Sequence, residues 1–166
     1  MKKYLVLFSL INLLITPFLF SETRVCFSPN GGAKKNIIEL IKDSSESIDV
    51  MCYSFNARQI AESLLEAHNR GVIVRIILDR SQTKKKGSVH KFFKKNGIDI
   101  RLISGVRRGV MHNKVAIFDS KTAVTGSYNW TEEAEHLNYD NALFSDDADI
   151  VDAYKKEFQK LWINAE

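Results

Sequence analysis

The stretch Val72-Ile73-Val74-Arg75-Ile76-Ile77-Leu78 constrains the fold more than any other part of the 166-residue chain. Its residues are β-branched and nearly all apolar, without the polar alternation of a strand that has one face in water. It predicts a buried central strand, which needs a layer of structure over each face. Ile37, Ile38, Leu40 and Ile41 upstream recur at helical spacing, as do Ile60, Ala61, Leu64, Leu65 and Ala67, with Gly71 just past their end. Val25-Cys26-Phe27 is a short strand stopped by the turn residues from Ser28 to Gly32, and Ile48 to Phe55 reads as another strand. Val89, Phe92 and Phe93 predict a third helix ending at Gly97, followed by a strand from Ile98 to Ile103. Two closely spaced strands (Val115 to Phe118, Thr122 to Thr125), a short one at Ala142-Leu143-Phe144 and a helix striped by Ile150, Val151, Tyr154, Phe158, Leu161 and Trp162 complete the chain. The order predicts one α/β domain. Its sheet is mixed and mainly parallel, with helices on both faces and antiparallel pairing among the later strands.

The first residues do not join this pattern. Lys2 and Lys3 precede an uncharged run from Tyr4 to Phe20. A basic start before an apolar stretch reads as an export signal, cut after Ser21, which leaves residues 22–166 as the domain and places it in the periplasm or outside the cell. The alternative is a retained anchor, since 17 uncharged residues are at the short end of a membrane span. In an oxidising compartment Cys26 and Cys52 have two open states, a disulfide or two free thiols.

Charge is concentrated rather than spread. Residues 80–108 carry ten basic side chains and only Asp99 as an acid. Such a segment creates a local positive field. Alone, it is a solvated face. Beside a phosphate-handling site it becomes a surface for a polyanion, with Lys84, Lys85, Lys86, Lys91, Arg107 and Arg108 as the binding candidates.

A candidate phosphate site lies directly downstream of the basic segment. Met111-His112-Asn113-Lys114-Val115-Ala116-Ile117-Phe118-Asp119 and Gly126-Ser127-Tyr128-Asn129 give the pattern H-x-K-x4-D-x6-G-S-x-N. On a strand, His112 and Lys114 project to one face while Val115 and Ile117 face a core. An ammonium repels a divalent cation, so the pair does not suit a metal. It does suit a phosphate, which imidazole can attack or protonate while ammonium holds a non-bridging oxygen. Gly126-Ser127 adds a turn with a hydroxyl, and Asn129 an amide donor.

This pattern resembles the HKD motif of the phospholipase D superfamily, with His112, Lys114, Asp119, Gly126, Ser127 and Asn129 all in the motif's places. Length, single motif and export signal are most similar to the small secreted or periplasmic bacterial endonucleases of that superfamily. The mitochondrial relatives with cardiolipin hydrolase or small-RNA roles come second. Tyr53-Ser54-Phe55 and the Gly71-Val72 strand entry add weaker likeness. The resemblance implies that His112 is a nucleophile forming a phosphohistidine, and that the second histidine is His112 of a partner copy in a homodimer. Lys114 and Asn129 would clamp phosphate oxygens, with Ser127 assisting. Asp119, counted with the motif, would be mainly structural. Asp140 stands where the family usually has a glutamate that orients the histidine, and its side chain is shorter.

No cofactor is implied, and the motif chemistry needs no metal. His68 is expected to be exposed, His90 to support phosphate binding, and His136 to lie in an acidic surface loop. Phe92, Phe93 and Trp130 are candidates for stacking on bases, although helical spacing favours core packing for the two phenylalanines. The functional expectation is a metal-independent phosphodiesterase cleaving DNA and/or RNA. The alternatives are a phosphodiesterase of phospholipids such as cardiolipin, favoured by a retained anchor, and a nucleic-acid capture or uptake protein, disfavoured by the intact motif.

Overall fold

The computed structural model describes residues 22–166, so the predicted export segment, residues 1–21, lies outside the described residues. Seven strands and five α-helices follow in the order β1 (Thr23–Phe27), α1 (Ala33–Asp43), β2 (Ser47–Cys52), α2 (Arg58–Asn69), β3 (Ile73–Asp79), α3 (His90–Lys95), β4 (Asp99–Ile103), β5 (Lys114–Phe118), β6 (Thr122–Gly126), α4 (Glu132–His136), β7 (Asn141–Ser145) and α5 (Ala148–Asn164). A short 3₁₀ helix, Arg80–Lys84, follows β3. No helix among the described residues is long and apolar enough to cross a membrane.

The strands form one sheet in the order β1-β7-β6-β5-β2-β3-β4. The expected mixed sheet is present, with a different balance of pairings. Five strands (β1, β2, β3, β4 and β6) point the same way, yet only β2–β3 and β3–β4 are parallel neighbours. The reason is the position of β1. It pairs with β7 at the far edge instead of with β2, and the antiparallel run β5-β6-β7 fills the space between.

The β3 run is packed on both sides, as its composition requires. Val74, Ile76 and Leu78 join Ile37, Ile41, Ile60, Leu64 and Phe93 in a core under α1, α2 and α3. Ile77 points to the other face, where Val151, Phe158 and Trp162 of α5 cover Met51, Val115, Ile117 and Ala123. Arg75 also faces α5: it forms a two-pronged pair with Asp49 at 2.7 Å and lies over the Phe158 and Trp162 rings. Ile73, at the start of the strand, is exposed.

The topology settles the cysteine question. Cys26 on β1 and Cys52 on β2 are separated by three strands, about 19 Å of sheet. A disulfide needs α-carbons within about 7 Å. Both are free thiols.

Asp119 lies just past β5, at the end opposite Lys114, about 17 Å away along the strand. The structure does not bring this motif residue together with His112 and Lys114; Asp119 holds main chain at the far end of the strand, the structural role that the resemblance implies. Its carboxylate accepts the backbone N–H groups of Ser45, Glu46 and Ser47, each at 2.9 Å, and the Ser45 hydroxyl at 3.3 Å. Burial alone would raise its pKa, but these donors outweigh it and hold the carboxyl below its ordinary value. The clamp ties the β5–β6 turn to the start of β2. Its stabilisation is present above the usual carboxylate pKa of about 4 and is lost as pH falls through the lowered native value. Asp119→Ala is expected to lower stability at pH 7 by about 1–3 kcal/mol. In urea melts the deficit shrinks as the pH drops below the carboxylate range, whereas an equal deficit at all pH values would contradict an ionic clamp.

Candidate active site

The antiparallel register of β5 against β2 sets Lys114 opposite Cys52, at the carboxyl end of β2. The Tyr53 N–H donates to the Asn113 carbonyl at 2.8 Å and extends that pairing past the strand ends. His112 lies just before β5 and is exposed. Its ring packs tilted against the Tyr53 ring, with centroids 4.6 Å apart, and makes no hydrogen bond to the described residues. Lys114 is buried, at 7% exposure. Its Nζ donates to the His112 carbonyl at 2.8 Å and sits 5.2 Å from the centre of the Tyr53 ring. Burial lowers the Lys114 pKa, opposed by Cys52 and Asp140. The expected grouping of His112 with Lys114 is therefore made, through main chain and aromatic ring rather than by two parallel side chains.

The loop that delivers His112 is pinned by Asp79, the last residue of β3. This carboxylate is 1% exposed and accepts the Met111 N–H at 2.8 Å. Its other oxygen accepts from the N–H and hydroxyl of Ser81. Asp79 is absent from the residues that the sequence singles out. A lone acid directly after an apolar strand was the available signal, since a buried carboxylate needs dedicated donors.

The Gly126–Asn129 turn forms the other wall. Gly126 has φ 148°, and a Cβ there would lie 2.2 Å from the Asn141 carbonyl oxygen, so β7 can pass only over a glycine. Ser127 donates to Asp140 Oδ1 at 2.7 Å and accepts from the Asn141 N–H at 3.1 Å. Asn129 is half-buried, and its Oδ1 has no partner among the described residues. Asp140 is braced from the β1 side: its N–H donates to Ser28 Oγ, and its carbonyl accepts the Ser28 N–H. Its carboxylate bonds Ser127 and makes no hydrogen bond to His112, contrary to the expected orienting contact. The shorter side chain is held by the neighbouring hydroxyl, and Oδ2 is left unpartnered.

The basic candidates divide into three groups. Lys85 and Lys86 line a cleft of about 400 Å³ together with Asn129, Tyr53, Asn56, Gln82 and Glu133. Lys84 and Lys91 line an adjoining groove that shares Lys85 and Ser88 with this cleft and also contains His90. Burial, then Lys91 and Lys94, lower the His90 pKa. Arg107 and Arg108 line neither and are exposed on the loop leading to His112. Phe93 and Trp130 are core residues, and half-buried Phe92 packs beneath the Arg58 guanidinium at 4.0 Å, so none is free to stack on a base. His68 is half-buried rather than exposed. His136 is exposed and pairs with Glu132 at 3.5 Å. Among the described residues, no three His, Cys, Asp or Glu side chains are grouped to hold a metal ion.

Comparison with known proteins identifies the family of the chain. Residues 37–162 match the family described as cardiolipin synthase, PLD-like domain. Phospholipase D of Rickettsia felis is 35% identical over 152 residues, covering 90% of this chain and 72% of the relative. Mitochondrial cardiolipin hydrolase of Xenopus tropicalis is 34% identical, covering 89% and 70%. Among solved structures, NucT from Helicobacter pylori superposes with a TM-score of 0.84 at 28% identity, covering 88% of this chain and 98% of its own. Nuc from Salmonella typhimurium, a phospholipase D family member, superposes with 0.82 at 30% identity, covering 89% and 97%.

Beneath Lys114, Cys52 is fully buried and its thiol pKa is pushed up to about 12, chiefly by desolvation. The thiol form is therefore the stable one at neutral pH. With iodoacetamide at pH 8, Cys52 is expected to stay unmodified in the native protein while half-buried Cys26 reacts, and both label after unfolding without reductant. Peptide mass mapping checks this, and native labelling of Cys52 would show that the site floor opens.

Proposed function

The chain belongs to the phospholipase D superfamily and is a phosphodiesterase, and we propose that it hydrolyses nucleic acid without a metal, through a phosphohistidine on His112. One observation carries the choice of substrate: the wall that holds Asn129 continues into a lysine-lined cleft and then into a second basic groove. A strand of phosphodiesters needs cations at successive phosphates, whereas a single headgroup needs one site. The cleft lining is largely polar, with Asn56, Gln82, Ser88, Thr131 and Glu133 beside the lysines.

The chemistry derives from the side chains. A ring nitrogen of neutral His112 attacks phosphorus, and the bond to the leaving oxygen breaks. That oxygen takes a proton from a second, protonated imidazole. The same imidazole then accepts a proton from water, and the resulting hydroxide attacks phosphorus and releases His112. The two imidazoles must begin in opposite protonation states. The chain carries one such motif, so the second group is His112 of a partner copy across a two-fold axis. Lys114 uses one N–H on the His112 carbonyl, and its remaining protons serve the non-bridging oxygens. The Asn129 amide serves the same charge, and the Ser127–Asp140 bond keeps the turn that presents it. The basic and apolar residues before residue 22 support a reaction outside the cytoplasm.

A second substrate has a specific observation in its favour. Tyr139 is 95% exposed and Leu137 73%, both just before Asp140, and phospholipid bilayers favour such residues. Purified protein incubated in excess EDTA with single-stranded DNA, duplex DNA, RNA and cardiolipin vesicles separates the two. Nucleic acid is expected to be cut. His112→Ala should lose about 10⁴-fold or more in rate and still bind DNA. Lys114→Met should lose about 10²-fold or more. Hydrolysis of cardiolipin alone would transfer the reading to lipid, and EDTA-sensitive cleavage retained by His112→Ala would overturn the mechanism. A fully active monomer in light scattering would remove the shared site.

A further inference from the structure

We propose that residues 1–21, while attached, hold the domain on a bilayer by the end of the sheet opposite the active site, so that the membrane-bound form takes its substrate from the aqueous side. This rests on the reading of those residues as a membrane-entering segment and is independent of the substrate's class.

The direction of β1 shows which end of the sheet the segment joins. Phe27, the last residue of β1, pairs with Asn141, beside the Gly126 turn of the site. Thr23, the first, pairs with Ser145, which pairs with Ala123, which pairs with Ile117. Thr23 therefore lies level with a residue five positions past His112, about 17 Å along the strand direction. The ladder runs one residue further, because the Asp146 N–H donates to the Glu22 carbonyl at 3.3 Å. Only Ser21 then separates the fixed main chain from Phe20, the end of the uncharged run.

So short a link leaves one orientation. One residue spans at most about 3.6 Å. Turning His112 toward the lipid would lift Glu22 off it by about 20 Å, the rise of six residues along a strand. The run cannot lengthen the link, since a span takes about 20 residues and the run holds 17. The end of the sheet that meets the bilayer has groups suited to it. Ile73 is 62% exposed at the start of β3, level with Asp119 through Ser47. Exposed Lys42, Lys95 and Lys121 at the same end provide cations for headgroup phosphates, offset in part by Asp43 and Asp99. Leu137 and Tyr139 lie beside Asp140 and face away from this bilayer together with the site. A retained anchor thus disfavours the headgroups of its own membrane as substrate.

The test uses the full chain, purified with residues 1–21 intact and reconstituted into vesicles of phosphatidylcholine and phosphatidylglycerol. Cys26→Ser removes the half-buried thiol, and Cys52 is fully buried. A fluorophore is attached at Lys121→Cys, far from the site, or at Tyr139→Cys, beside it, and lipid carrying a quencher on its headgroup is included. Loss of fluorescence is expected at Lys121→Cys and none at Tyr139→Cys. Lys42→Cys is a second position at the far end if Lys121→Cys does not fold. A Gly/Ser linker of about 15 residues inserted after Ser21, with a reach of about 20 Å, should erase the difference. Quenching at Tyr139→Cys equal to or above that at Lys121→Cys, in the chain without the linker, overturns the orientation. A difference unchanged by the linker overturns the short link as its cause. A chain that does not float with the vesicles overturns the membrane reading of residues 1–21 and the orientation with it. The nuclease reading stands or falls by its own assay.

Discussion

A buried ammonium at the first residue of β5 is the constraint on which the site depends. An isolated cation removed from water is strongly unfavourable unless acceptors and fields compensate it. Here Lys114 has the His112 carbonyl at 2.8 Å, the face of Tyr53 and the nearby charge of Asp140. Each compensation also positions something else. The carbonyl contact fixes the backbone at His112, the Tyr53 ring carries the imidazole, and Asp140 is held by Ser127 in the turn that presents Asn129. The cation that would hold a phosphate oxygen is thus oriented before any substrate arrives, which is the arrangement that makes electrostatic stabilisation effective.

The strand bearing this lysine is stapled at both ends by carboxylates that accept main-chain N–H groups. Asp79 holds Met111 at the site end, and Asp119 holds Ser45, Glu46 and Ser47 at the other. Between them Val115, Ala116, Ile117 and Phe118 are buried against both cores. The two acids do different work. Asp119 secures the sheet far from the chemistry, whereas Asp79 sets the path of the loop that ends in His112. From Asp79 a continuous chain of bonds runs through Ser81 to Gln82, so one buried carboxylate connects the His112 loop with the cleft beside Asn129.

Most of the chain's elements were legible in its sequence because each depends on a local period; the exception is the short α4, Glu132–His136, where the sequence predicts an acidic loop. The apolar run of β3, the stripe of α5 and the Gly126 turn all lie where their residues predict. The sheet order was not. Sequential strands usually neighbour one another, yet β1 lies at the edge beside β7, which turns a mainly parallel expectation into a sheet with four antiparallel pairings out of six. The same displacement keeps Cys26 away from Cys52. The six-residue motif was legible as chemistry, but its spacing along the chain did not separate Asp119 at one end of β5 from Lys114 at the other.

By itself the sequence determined which groups are available and the local structure each favours, since periodicity, turn residues and charge act over a few residues. Tertiary structure decided which of them meet. Tyr53, the Asp79–Gln82 stretch and Asp140 come from separate segments, and only the crossovers of the chain and the packing of two cores bring them around His112 and its neighbouring cleft. It also decided how each is used: Asp140 bonds Ser127 instead of His112, and Phe93 and Trp130 fill the core instead of facing a base. A side chain's partner is set by which competing donor or space lies nearest in the folded molecule, and that distance is not written in the order of residues.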